Sequence, residues 1–330
     1  MKILVFEYIT GGGFNKQELP ESLLDEGCLM LAALLADLRA LPAVSVVLML
    51  DSRLQTRIDT RDLTVVYLHP TQDSSAEFAR LAAECAAVWP IAPEFDGILE
   101  GLCRQVESLG KLLLCPSAQA VAIAGDKWLS YQTLIQHAVA TVPTERYTGT
   151  VLATDDGRQW LVKPVDGVAC TDSYILSTAA DFQAMATRTG TYIIQPHLLG
   201  TKTSLSGLFK AGQAWLICVN LQHFSIVNQQ YQLDAITVNL TVAAPPYQAI
   251  LARIAQALPG LWGYVGIDLI EADGQIWVLE INPRLTTSFV GIRQALGINV
   301  AEQVLQLLDG APSLLRTCNQ AVAIKVHNGQ

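Results

Sequence analysis

Asp268, Glu280 and Asn282 have the types and spacing to hold a metal ion. They fall in YVGIDLIEADGQIWVLEIN, residues 264–282, where two apolar runs flank Asp273-Gly274, a dipeptide that tolerates the positive φ of a tight hairpin turn. With the turn centred there, Asp268 and Glu280 stand on opposite strands near one end of the ladder, and Asn282 shares the face of Glu280. Two carboxylates and an amide oxygen form an all-oxygen set that suits Mg²⁺, which completes its shell with waters and phosphate oxygens, and does not suit zinc. The plainer reading makes Asp268 a solvent-facing strand residue and Glu280 the partner of some lysine. The apolar neighbours Ile267, Leu269, Leu279 and Ile281 weigh against it, because carboxylates among such residues are costly.

Three cations complement that set. Lys127 opens a helix in GDKWLSYQTL, Lys163 ends an apolar strand in WLVKPVDG, and Arg284 follows Asn282 almost at once. A lysine near an element end is usually a solvated charge. Lys163 is the sharper case, since it closes the run Trp160–Val162 and precedes Pro164 and a polar turn. Lysines, an arginine and Mg²⁺ are what phosphoryl transfer needs, because that chemistry is mostly positioning and charge neutralisation. Cys170, in the loop after Lys163, has no base near it in sequence and reads as no nucleophile.

The elements that must position these groups follow from hydrophobic periodicity. Up to residue 115, short apolar runs at 2–8, 44–50, 64–68, 87–92 and 111–115 alternate with amphipathic stretches at 22–40, 75–87 and 97–109, which predicts a doubly wound parallel sheet in an α/β fold. Residues 116–195 read as a small separate domain, with a helix over 126–138 and the strand ending at Lys163. From 196 to 330 strands dominate, around one helix near 247–258 and the hairpin. The stretch LQHFSIVNQQYQ, residues 221–232, reads as polar and irregular, with His223, Asn228 and Gln229 either facing a substrate or decorating a loop.

Composition bounds the partners. The chain has 330 residues, 51% hydrophobic and 15% charged, enough for a large core, and its net charge of −9 argues against nucleic acid, whose binding needs clustered Lys and Arg. Seven scattered cysteines without a C-x-x-C pair fit a reducing compartment. With no credible signal peptide or membrane span, the expected place of action is the cytoplasm. Nothing in the sequence sets the oligomeric state, and a homodimer stays open.

Lys127, Lys163-Pro164, the strand ending Gln195-Pro196-His197, GIDLI and LEINPR occur in the order seen in the ATP-grasp superfamily of carboxylate-amine ligases, which this chain resembles over about residues 1–300. The resemblance implies a Rossmann-like substrate domain (1–115) followed by two α+β subdomains (116–195 and 196–330) that clamp Mg²⁺-ATP, with Mn²⁺ able to substitute. It implies transfer of the γ-phosphate to a carboxylate and attack by an amine on the acyl phosphate. Lys127 and Lys163 would then contact the α- and β-phosphates. Gln195, Pro196 and the backbone at His197 and Leu198 would meet the adenine, Asp268, Glu280 and Asn282 would hold Mg²⁺, and Arg284 would steady the transferring phosphate.

Three departures stand out. Lys202 occupies the place of a ribose-binding glutamate, the phosphate loop DGVACTDS is poor in glycine, and Gly266 replaces the arginine of the D-alanine ligase branch. These departures also motivate the alternative of a degenerate nucleotide-binding regulator. FEYITGGG, GYVGIDLI and LEINPRLTTSFVG resemble the branch containing tyramine-glutamate ligase of methanofuran biosynthesis and its bacterial counterparts in one-carbon cofactor synthesis. That implies glutamate, or a similar amino acid, joined to an amine, and leaves a different peptide-like product as the other ligase reading.

Gly11-Gly12-Gly13 lacks the G-x-G-x-x-G spacing of a nicotinamide site. A phosphate loop would also need its helix to follow directly, and here about nine residues including Pro20 intervene. The expectation is a substrate loop, with Glu7 pairing with an ammonium and the glycine amides with a carboxylate, ahead of a helix capped by a Ser22–Asp25 box.

Overall fold

The computed structural model describes residues 1–149, 157–168, 170–240 and 242–326. Strands β1 (Lys2–Glu7), β2 (Ser45–Asp51), β3 (Thr64–Leu68), β4 (Ala87–Ile91) and β5 (Leu112–Leu113) pair in parallel in the order β3-β2-β1-β4-β5, connected through helices α1 (Glu21–Arg39), α2 (Ser74–Glu84) and α3 (Ile98–Ser108). Their apolar runs are continuous because both faces are covered, as parallel sheets require, and Ile3, Leu4 and Val5 expose no surface. The strand order reverses between β1 and β4, so their carboxyl ends open a crevice of the kind that holds ligands. Glu7, in register with Ile91, sits at its mouth.

Helix α1 begins one residue earlier than the sequence suggests. Pro20 occupies the cap position at φ −71° with no side-chain cap bond, so Ser22 falls inside the helix and not at the cap expected for it. A further helix that the sequence did not announce, α4 (Ala118–Gly125), precedes the one expected over 126–138, which is α5 (Lys127–Gln136). Asp126 breaks them apart by accepting bonds from the amides of Trp128 and Leu129, which leaves Lys127 as the first residue of α5.

A four-stranded antiparallel sheet follows, β6 (Glu145–Arg146), β7 (Trp160–Pro164), β8 (Tyr174–Leu176) and β9 (Tyr192–Pro196), in the order β6-β9-β7-β8. Helix α6 (Ala179–Ala186) closes one face by packing Phe182 and Met185 on Val162, Leu176 and Ile194.

Strands β10 (Thr201–Lys210), β11 (Gln213–Val227), β12 (Gln230–Val238), β13 (Gly263–Ala272), β14 (Gln275–Asn282) and β15 (Val322–Lys325) make a second antiparallel sheet in the order β14-β13-β10-β11-β12-β15. Helix α7 (Pro245–Ala257) buries Leu251 and Ile254 in a core with Leu205 and Val265 of this sheet. Helices α8 (Phe289–Leu296) and α9 (Val300–Gln306) pack against α1, so Phe289, Ile292 and Val300 share one core with Leu34 and Leu35. Asp37 of α1 reinforces the join by accepting bonds from Arg293 Nη1 and the Val300 amide, both at 3.1 Å.

Residues 221–232 are not an irregular loop. They form the outer half of the β11–β12 ribbon, turning at Asn228 and Gln229, both left-handed at φ 50° and 64°. His223 and Gln232 are exposed strand positions of this ribbon, and a turn without glycine hid the hairpin. The tip leans on the four-stranded sheet, where the Ile175 amide donates to Gln229 O at 2.9 Å and Gln229 Nε2 donates to Asp181 at 3.1 Å.

Candidate active site

The β13–β14 hairpin turns at Asp273-Gly274 with φ of 52° and 72°, and its register sets Asp268 directly opposite Glu280. A register shift just after Asp268 leaves Leu279 unpaired and lets Gly266 face Asn282. The Asp268 carboxylate accepts bonds from Asn282 Nδ2 at 3.1 Å and from Gln222 Nε2 at 3.0 Å. Lys127 Nζ lies 3.4 Å from Glu280 Oε2 and donates to Gly167 O at 2.6 Å, tying the loop after β7 to the hairpin.

Lys163, on β7, is buried beside the same carboxylates. Burial pulls its pKa below the ordinary lysine value although Glu280 opposes the change. Burial also pushes both carboxyls up; for Glu280 the charges of Lys127 and Lys163 outweigh that and hold it below its usual value. Asp268 is raised by burial and then by the Glu280 charge. Two acids and two lysines therefore meet, with Glu280 held low by both lysines and Asp268 raised beside it.

A cavity of about 460 Å³ extends from Asp268, Glu280 and Asn282 to the mouth of the parallel sheet, and Lys127 and Lys163 are not among the residues that line it. Arg284 lines it, held by Glu94 with Nε to Oε1 at 2.9 Å and Nη2 to Oε2 at 3.1 Å. Glu7 lines it too, its carboxylate anchored by the amides of Ile9 at 3.2 Å and Thr10 at 2.7 Å, with burial raising its pKa. Glu26 of α1 accepts a bond from Thr287 Oγ1 at 2.6 Å on the same wall. Val168, Cys170 and Thr171 of the loop after β7 form the cover, and Ala169 lies outside the described residues. Burial and the Glu280 charge push the Cys170 thiol up to about 11, so it carries no thiolate at neutral pH.

Other expected residues lie elsewhere. Gln195 is buried and donates to Thr144 Oγ1 at 2.8 Å, Pro196 ends β9, and Leu198 is half-buried in the segment before β10. The His197 amide donates to Gln159 O at 3.0 Å, while its ring bridges Gln159 Oε1 at 2.9 Å and the Tyr231 hydroxyl at 2.6 Å. Lys202 is not on the cavity wall; its ammonium rests over the rings of Tyr231, 2.8 Å from the centroid, and Phe224, at 4.6 Å.

The glycine expectation is corrected. The amides of Gly11 and Gly13 are taken by Glu7 O at 2.6 Å and Tyr8 O at 2.8 Å, and none of the three glycines lines the cavity. A Cβ at Gly11 would come within 2.5 Å of the Phe6 ring and one at Gly13 within 2.4 Å of the Tyr8 ring, so these positions serve packing rather than a carboxylate. Asn228 is likewise exposed at the ribbon tip, away from the cavity, where its left-handed backbone makes the turn. His223, also exposed, pairs with Thr237 Oγ1 at 2.9 Å.

Glu94, Glu26 and Gln222 were missed. The signal for Glu94 was its place just past the carboxyl end of β4, where the strand order reverses. Gln222 lay hidden in the ribbon taken for a loop.

A model of the ATP-grasp domain matches residues 124–288, and one of the pre ATP-grasp 3 domain matches residues 44–121. The chain belongs to the ATP-grasp family. This is a family of carboxylate-amine ligases, and within it the chain resembles the tyramine-glutamate ligase branch. Tyramine–L-glutamate ligase of Methanocaldococcus fervens is 26% identical over 88% of this chain and 89% of its own length. An ATP-grasp superfamily protein from Archaeoglobus fulgidus has the same fold, with a TM-score of 0.72 at 22% identity over 98% of this chain and 92% of that one. L-amino acid ligase from Bacillus licheniformis aligns with a TM-score of 0.65 at 16% identity, over 93% and 73% of the two chains.

ATP-grasp enzymes use ATP and Mg²⁺, and the residues here fit both. Among the described residues no three His, Cys, Asp or Glu gather into a metal cluster, and the third donor beside Asp268 and Glu280 is the amide of Asn282. The set is all oxygen and brings two carboxylates face to face, which suits a hard divalent cation. Among the described residues, no helix is long and apolar enough to cross a membrane.

Proposed function

We propose that this protein phosphorylates the carboxylate of glutamate, or of a related amino acid, with ATP and couples the acyl phosphate to an amine. The observation that carries this reading is a single cavity lined at one end by Asp268, Glu280 and Asn282 and at the other by Arg284 and Glu7. Asp268, Glu280 and Asn282 would hold Mg²⁺, which when bound supplies charge neutralisation at the phosphates. Lys127 and Lys163 hold the α- and β-phosphates, with Gln195, Pro196, His197 and Leu198 toward the adenine.

Arg284 faces the transferring phosphate. Its rigid pairing to Glu94 fixes its position before substrate arrives, so the charge is in place without reorganisation. A substrate carboxylate oxygen attacks the γ-phosphorus as the bond to ADP breaks, and the amine nitrogen then attacks the acyl carbon as inorganic phosphate leaves. Glu7, at the mouth of the sheet, pairs with a substrate ammonium. The likeness to tyramine–L-glutamate ligase supports a tyramine-like amine and a role in forming a methanofuran-type cofactor.

We also divide the chain at residues 115 and 195, on the ground that each sheet draws its strands from one of the three segments, apart from Pro196 at the seam. The free cysteines favour a cytoplasmic setting. The test is ADP and phosphate release over a panel of amino acids and amines. Release that requires both a carboxylate and an amine is expected. Tight Mg²⁺-ATP binding without turnover on any pair would instead identify a nucleotide-binding regulator.

A further inference from the structure

The cavity wall formed by α1 is not used by the chemistry above. Leu23, Glu26 and Met30 all face the cavity, and their spacing of three and four residues places them on one stripe of the helix. Ile9, just past β1, lines the cavity as well, so an acid sits within an otherwise apolar surface.

The charges at this end do not balance. Among the described residues that line the cavity Arg284 is the one cation, and its guanidinium is already gripped through two nitrogens by Glu94. Glu7 and Glu26 both feel the Arg284 charge, yet the hydrogen bonds recorded to their carboxylates come from the amides of Ile9 and Thr10 and the hydroxyl of Thr287. Burial accordingly raises the Glu7 pKa, the mark of a carboxylate without enough positive charge around it.

We propose that this α1 face, with Glu7, is the acceptor subsite and receives a primary amine carried on an apolar body. The ammonium is received by Glu26 and Glu7, and the body lies along Leu23, Met30 and Ile9. Thr287 is a positioning residue that orients Glu26. The assignment rests on the ligase reading and adds to it the residues of α1 that would receive the amine.

The test is steady-state kinetics of the full chain with saturating Mg²⁺-ATP and the best amino acid of the panel, using 2-phenylethylamine and methylamine as probes. A parallel assay uses hydroxylamine, a small neutral nucleophile that traps an acyl phosphate as a hydroxamate without needing the subsite. E26Q should raise the KM for 2-phenylethylamine about ten- to hundredfold, the weight of one charge-assisted bond, while hydroxamate formation and the KM values for ATP and the amino acid hold. L23A should raise the KM for 2-phenylethylamine and leave that for methylamine unchanged.

An unchanged KM for 2-phenylethylamine in E26Q overturns the assignment, as does a rise confined to the amino acid, which would give the ammonium to that substrate. If E26Q also loses hydroxamate formation, T287V replaces it with the same expected and contrary results. Absence of hydroxamate from the wild-type chain with every carboxylate tried would instead refute the ligase reading itself.

Discussion

Glu94 grips Arg284 with both carboxylate oxygens, at 2.9 and 3.1 Å, across 190 residues of sequence. Both side chains are buried, at 5% and 15% exposure, so removing one strands the other. Arg284→Ala should lower kcat by about 10²-fold or more through loss of a preorganised charge, with the KM for ATP changed much less. It should also cost about 3–5 kcal/mol in a urea melt, as expected when one half of a buried pair is left alone. Arg284→Lys keeps the charge but not the two-pronged geometry, and should recover more stability than rate. A raised KM for ATP at unchanged kcat would remove Arg284 from the phosphoryl step.

Asp268 and Glu280 should separate in stability although loss of either is expected to stop turnover. Asp268→Asn removes a buried charge that faces a like one, so the metal-free chain should melt at the same or a higher temperature. Glu280→Gln deprives Lys127 and Lys163 of their counter-charge and should melt lower. In both variants turnover should fall to background, and the rise in Tm that Mg²⁺-ATP gives the wild type should be largely lost. An active Glu280→Gln enzyme would end the metal assignment.

Local signals made the hairpin legible. Asp273-Gly274 fixed the turn, and strand alternation then put Asp268 against Glu280 without any tertiary information. The parallel sheet was legible for a similar reason, because its fully buried strands are uninterrupted apolar runs. The Arg284–Glu94 pair was not, since nothing local links a residue after β4 to one after β14. The β11–β12 ribbon was missed because exposed strand residues are polar and Asn228-Gln229 bends without a glycine. Gly11 and Gly13 misled because a glycine needed for ring packing and one needed for a ligand look alike in sequence.

Lys202, over the rings of Tyr231 and Phe224, provides a pH test. Burial lowers its pKa from 10.5 to about 8. Below about 8 both folded and unfolded chains carry the proton, and the folded state bears the full cost of the buried charge. Between about 8 and 10.5 only the unfolded chain carries it, so folding stability gains as pH rises through that window. Relative to Lys202→Met, wild-type stability should therefore improve between pH 7 and pH 10 in urea melts. A gap that stays flat would show that the ammonium over Tyr231 is not desolvated.

Gly27 makes room for Glu7. A Cβ at Gly27 would stand 2.8 Å from Glu7 Oε2 and 2.9 Å from its Cδ, too close for any real contact. Gly27→Ala should improve helix propensity in α1 by about 1 kcal/mol, yet the carboxylate must move, and the amides of Ile9 and Thr10 hold it in place. We expect a net destabilisation of about 1–3 kcal/mol, as for other overpacked sites, together with a raised KM for the substrate that carries the ammonium. Glu7→Gln should raise the same KM without the steric cost, and ATP affinity should hold in both variants. If Gly27→Ala stabilises the chain and leaves every KM unchanged, Glu7 has freedom to move and is not the fixed anchor described here.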